Sequence, residues 1–75
     1  MKLSEFMKKE RELRVMTQKQ FGNAIGLSGV HISKIENGQQ LSFKTLLKIV
    51  EYFGIDKKEV AEMSMEEHSA SKGGK

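Results

Sequence analysis

Apolar residues recur along this chain at helical rather than strand spacing, and the runs are punctuated by glycines with no proline anywhere. A chain written this way is confined to short helices that stop at their glycines. The first segment, Leu3 to about Met16, puts Leu3, Phe6, Met7 and Leu13 on one side and Lys8, Lys9 and Glu12 on the other, with Ser4 as its N-cap. Thr17-Gln18-Lys19-Gln20 is a capping box that opens a second, short helix ending at Gly26. Ser28 caps a third helix with Ile32 and Ile35 inward, stopped by Asn37-Gly38. Ser42 opens a fourth with Phe43, Leu46, Leu47, Ile49, Val50 and Phe53 as its apolar set, and Gly54 closes it. A second capping box, Asp56-Lys57-Lys58-Glu59, introduces a short fifth helix that offers Val60, Ala61 and Met63 to the domain or to a partner. The fold class expected is all-α, a compact five-helix domain.

Its 75 residues suffice for one small core. That domain is expected over residues 1–63. Residues 64–75 are rich in Ser, Gly and charge without apolar periodicity and are expected to form a disordered tail. Without cysteine there is neither a disulfide framework nor a thiolate zinc site, so the core rests on apolar packing alone. No apolar run reaches the length of a membrane span, and the expectation is a soluble, cytoplasmic protein. Glu66, Glu67 and His68 resemble metal ligands, but they lie in the tail with no fourth partner nearby, and no metal or cofactor is expected. There is no nucleophile and base at a recognisable spacing and no glycine-rich phosphate loop, which argues against an enzyme.

The net charge of +3 is too common to decide anything, but its placement is informative. The positive excess lies in the first half, and from Thr17 to Gly38 the only acid is Glu36. The same stretch carries a pattern of glycines and aliphatics with a mechanical logic. Two helices crossing steeply over a tight turn need a small residue where their backbones approach, which Gly22 supplies. They also need a positive-φ residue in the turn, which Gly26 supplies. Phe21, Ile25, Leu27, Ile32 and Ile35 fill the wedge between them, leaving Gly29, Val30, Ser33 and Lys34 facing outward on the third helix. His31 reads as an ordinary exposed histidine.

From Met16-Thr17-Gln18 through Gly26-Leu27-Ser28 to Ile35-Glu36-Asn37-Gly38, and on through Leu46-Leu47-Lys48-Ile49 and Phe53-Gly54-Ile55, the sequence resembles the phage repressor and Cro family of helix-turn-helix domains. The resemblance spans roughly residues 3–63. It implies a lambda-repressor-like fold with the helix-turn-helix at helices 2 and 3, and sequence-specific binding to double-stranded operator DNA, usually as a repressing homodimer. Carried over by position, it implies that Ser28, Gly29, Val30, Ser33 and Lys34 face the bases. It places Gln18, Asn37, Ser42 and Lys44 on the phosphates, and pairs Arg11 with Glu36. Electrostatics independently favours that pair, because an unpaired Glu36 would oppose the approach of phosphates. A dimer is expected to form around the fourth-helix exit and the fifth helix through Tyr52, Val60 and Met63.

The sequence also departs from its relatives. Val15 stands where they often have glycine, so the turn after the first helix needs another conformation or strains a β-branched residue. Gly29 and Val30 replace common polar base readers, Leu41 replaces a frequent proline, and Glu10 falls on an apolar stripe. The alternative function from a different class is an antitoxin-type regulator that binds a partner protein, such as a toxin, with DNA binding serving autoregulation.

Overall fold

The computed structural model describes residues 1–72, in which five helices follow one another: α1 (Leu3–Leu13), α2 (Gln18–Ile25), α3 (Gly29–Glu36), α4 (Phe43–Phe53) and α5 (Lys57–Lys72). No strand occurs among the described residues. The helix starts are written locally. Thr17, Ser28 and Ser42 each stand in extended backbone and accept the N–H of the residue three positions on with their side-chain oxygens. The stops are local as well, with Gly26 and Gly54 in left-handed conformation at the ends of α2 and α4. α1 begins one residue earlier than its sequence suggests. Lys2 occupies the N-cap position, and Ser4 lies inside the first turn rather than capping it.

α3 packs against α1 and α2, α5 against α1 and α4, and α4 against α2, around a core of Leu3, Met7, Phe21, Ile25, Ile32, Ile35, Ile49 and Val60. Removing each large aliphatic or aromatic side chain from water contributes roughly 1.5–3 kcal/mol. A rim of edge-to-face aromatic pairs extends this core, Phe6 with Phe53 and Phe21 with both Tyr52 and Phe53. Arg14 closes the rim from outside, its guanidinium 5.3 Å from the Phe53 ring centroid. Arg14 Nη1 also donates to Glu10 Oε1 at 2.6 Å, which accounts for an acid on an otherwise apolar stripe. Chiefly through this bond, the Arg14 pKa is raised above its ordinary value.

Four sequence expectations change. Leu13 is exposed, because α1 ends there and the turn carries it off the packed face. Phe43 and Leu47 are also exposed, since α4 covers the core with Thr45, Leu46 and Ile49 instead. Val60 is fully buried within the domain, so it is unavailable as a dimer contact. Tyr52 and Met63 remain half-buried and pack on the core. The expected disordered tail is helical as far as Lys72, continuing α5. A tertiary hydrogen bond holds this extension: Glu67 Oε1 accepts the Ser4 N–H at 2.8 Å, satisfying a first-turn donor of α1 that has no partner within its own helix. The remainder of that expectation, residues 73–75, lies outside the described residues.

Candidate nucleic-acid interface

α2 and α3 meet over a turn that leaves no room for side chains. A Cβ on Gly22 would lie 2.7 Å from both the carbonyl carbon and the oxygen of Ser28. The turn residue Gly26 has φ +93°, and its N–H and that of Leu27 both donate to the Gly22 carbonyl, at 2.9 and 2.7 Å. Lys48 fastens the turn from α4, its Nζ donating to the Gly26 carbonyl at 2.9 Å. Nothing within its own helix marks Lys48 for a partner 22 residues away.

On α3, Val30 and Lys34 are exposed, Ser33 is half-buried, and Ser28 Oγ accepts the His31 N–H at 3.1 Å as the helix cap. Gly29 departs from the outward-facing set. Its Cβ would stand 3.0 Å from Lys19 Cα, so its side-chain direction points at α2 and its role is close packing. Beside α3, a cleft of about 220 Å³ is lined by His31, Lys34, Gln39, Gln40 and Ser42, among others. Gln39 and Gln40 are amide donors and acceptors brought to the same face as Lys34. Their sequence context, a polar loop after Asn-Gly, did not set them apart.

Backbone dipoles add to this face. The Thr17 hydroxyl accepts the Gln20 N–H at 3.1 Å and Gln20 Oε1 accepts the Thr17 N–H at 2.9 Å. This leaves the first N–H groups of α2 as an end that attracts anions. Asn37 caps the C-terminus of α3 and is exposed, while the Ser42 hydroxyl accepts the Thr45 N–H and Lys44 stands exposed on the first turn of α4. Gln18 is less free than its expected phosphate role requires, because its Nε2 donates to Glu36 Oε1 at 3.1 Å.

Glu36 is thereby withdrawn from the surface. Arg11 Nε donates to Glu36 Oε2 at 2.7 Å and Arg11 Nη2 to Oε1 at 3.2 Å, a bidentate fork in which the carboxylate side chain is only 7% exposed. Arg11 Nη1 also donates to the Met16 carbonyl at 3.0 Å, so one guanidinium ties α1, the following turn and the end of α3 together. Hydrogen bonding to Glu36 raises the Arg11 pKa above its ordinary value, with burial opposing. Glu36, the acid within α3, is consequently neutralised, while Lys34 is left exposed.

Glu66 and Glu67 take up other roles: Glu66 pairs with the Met1 ammonium and Glu67 with Ser4. No group of three metal-ligating side chains gathers among the described residues. No helix there is long and apolar enough to cross a membrane. The family described as helix-turn-helix matches residues 7–60. No curated protein and no solved structure matches the chain.

Proposed function

The chain belongs to the Cro/repressor-type helix-turn-helix family of DNA-binding transcriptional regulators, and we propose that it acts as a repressor that binds a palindromic operator as a homodimer. The observation that carries this reading is the outward face of α3: exposed Val30 and Lys34 flanked by the Ser28 cap, with Glu36, the acid of that helix, tied down by Arg11. Lys34 reaches O6 and N7 of guanine, and Val30 packs on a thymine methyl. Ser33 completes the base-facing set, while Gly29 allows α2 and α3 to approach. The α2 N-terminus at Gln18, together with Asn37 and Ser42, contacts the phosphates that fix the register, and Lys44 adds longer-range attraction beside them. One eight-residue helix offers few base contacts, which favours two copies on an inverted repeat. In this reading the protein works in the cytoplasm, where its operator is.

Selection of bound sequences from random duplex DNA tests the proposal and should return an inverted repeat. Lys34→Ala should then weaken the selected site by about 1–3 kcal/mol and relax preference at one base pair per half-site. A uniform loss on all sequences would reassign Lys34 to a phosphate, and no selected sequence at all would remove the proposal.

One observation favours a second role as a protein-binding regulator of the antitoxin type. A groove of about 460 Å³ with Phe6, Ile55 and Met63 among its lining is bordered by Glu59, Glu62 and Glu66, a surface that repels DNA and suits a basic partner. A partner that copurifies with wild type but not with Glu62→Lys would support this role.

A further inference from the structure

The outer face of α4 is apolar where a solvated helix should be polar. Phe43 and Leu47 follow one another along a single ridge at helical spacing, 64% and 40% exposed, and half-buried Val50, which also packs on the core, continues that ridge at its inner edge. Leu47 and Val50 line a shallow groove of about 470 Å³ together with Lys44, Lys48 and Glu51. We propose that this ridge is a dimer surface on which the α4 helices of two copies pack antiparallel across Leu47. The proposal rests on the homodimeric reading above and assigns it a surface.

The ridge is complementary to itself, as a two-fold interface requires. Lys44 and Glu51 are seven positions apart, so they lie two turns apart on the same flank of the ridge. A two-fold axis midway between them sets Lys44 of each copy level with Glu51 of the other, forming the same ion pair twice. The axis passes beside Leu47, which then meets its own symmetry mate. Phe43 falls level with the gap between Val50 and Gly54 of the second copy. That gap is open, since a Cβ on Gly54 would meet nothing within 4 Å. Lys48 is drawn off toward the Gly26 carbonyl, and Lys57 flanks the Phe43 ring with its ammonium 5.7 Å from the centroid. The groove on α5 fails the same test. Its only lining cation, the Met1 ammonium, is already paired with Glu66, so two-fold pairing there would set Glu59 and Glu62 against like charges.

The absence of native cysteine allows a direct test on the full chain without DNA, where Lys44 has no phosphate to meet. Under mild oxidation, Leu47→Cys places thiols beside the axis and should form a covalent dimer, whereas Glu62→Cys on the acidic groove should remain monomeric. In sedimentation, Leu47→Glu and Glu51→Lys should each lose the reversible dimer, and the Lys44→Glu, Glu51→Lys double variant should regain it. Equal cross-linking of the two cysteine variants, or a charge swap that restores nothing, overturns the α4 surface. If selected DNA is still an inverted repeat in that case, dimeric DNA binding stands and uses another face. If the α4 dimer forms but no DNA sequence is selected, the DNA-binding proposal fails alone.

Discussion

Val15 adopts φ +54° and is 89% exposed, an arrangement in which a β-branched residue gains no packing for its strain. It sits just past the end of α1, where the Met16 N–H donates to the Arg11 carbonyl and the Val15 N–H to that of Glu12. α3 ends on the same bond pattern, with Gln39 donating to Lys34 and Gly38 to Ile35, but there the left-handed position is a glycine at φ +85°. One turn geometry is therefore built once with the favoured residue and once without it. The left-handed conformation costs a non-glycine residue roughly 1–2 kcal/mol, and glycine gives back roughly 0.5–1 kcal/mol in chain entropy. Val15→Gly should thus stabilise the domain by about 0.5–1 kcal/mol, seen as a rise of a few degrees in Tm. A fall in Tm would show that Val15 contributes contacts outweighing its strain.

Between elements, the strongest polar tie is the guanidinium of α1 on the carboxylate of α3. Arg11 and Glu36 side chains are 16% and 7% exposed, so solvent screens them less than a surface pair, and either left alone keeps an uncompensated charge. Gln18 and the Met16 carbonyl soften the loss without replacing it. Arg11→Met should lower stability by about 1–3 kcal/mol, and the Arg11→Met, Glu36→Leu double variant should recover part of it. A double-mutant cycle with coupling near zero would reduce the pair to two independent surface charges. Glu36→Leu alone should cost less than Arg11→Met, because Arg11 retains the Met16 carbonyl while Glu36 without Arg11 keeps only Gln18.

At the scale of the whole molecule, α5 returns to the start of the chain and joins its ends through Glu67 and Ser4. Burial pushes the Glu67 carboxyl up, but hydrogen bonds from the Ser4 hydroxyl and N–H, with the charges of Lys2 and His68, outweigh it and hold the group below its ordinary value. A carboxylate at the N-terminal turn of α1 also faces the positive end of that helix. A lowered folded-state pKa adds stability that is fully present above the unfolded value of about 4.3 and is lost as pH falls through the folded value. Glu67→Ala should therefore destabilise the domain at neutral pH by about 1 kcal/mol and flatten the acid limb of its stability profile. An unchanged limb would show that other carboxylates set the acid response. Deleting residues 64–75 removes this tie, so truncation should lower Tm, contrary to what a structureless tail would allow.

The sequence by itself determined where most helices begin and end and how α2 meets α3. Those features depend on neighbours a few residues away: a hydroxyl reaching an N–H three positions on at Thr17, Ser28 and Ser42, and a glycine where φ turns positive at Gly26 and Gly38. The exposure of Val30 and Lys34 followed from the same short-range periodicity, since Ile32 and Ile35 had to face inward. Only the tertiary structure decided which flank of α4 is covered, leaving Phe43 and Leu47 outside. It also buried Val60, turned Gly29 toward Lys19, sent Lys48 to the Gly26 carbonyl and carried α5 on past Ser64. Each of these rests on contacts between residues distant in the chain, 63 positions apart for Ser4 and Glu67. Periodicity along one helix shows that a face is apolar, but what covers that face depends on where the other helices lie.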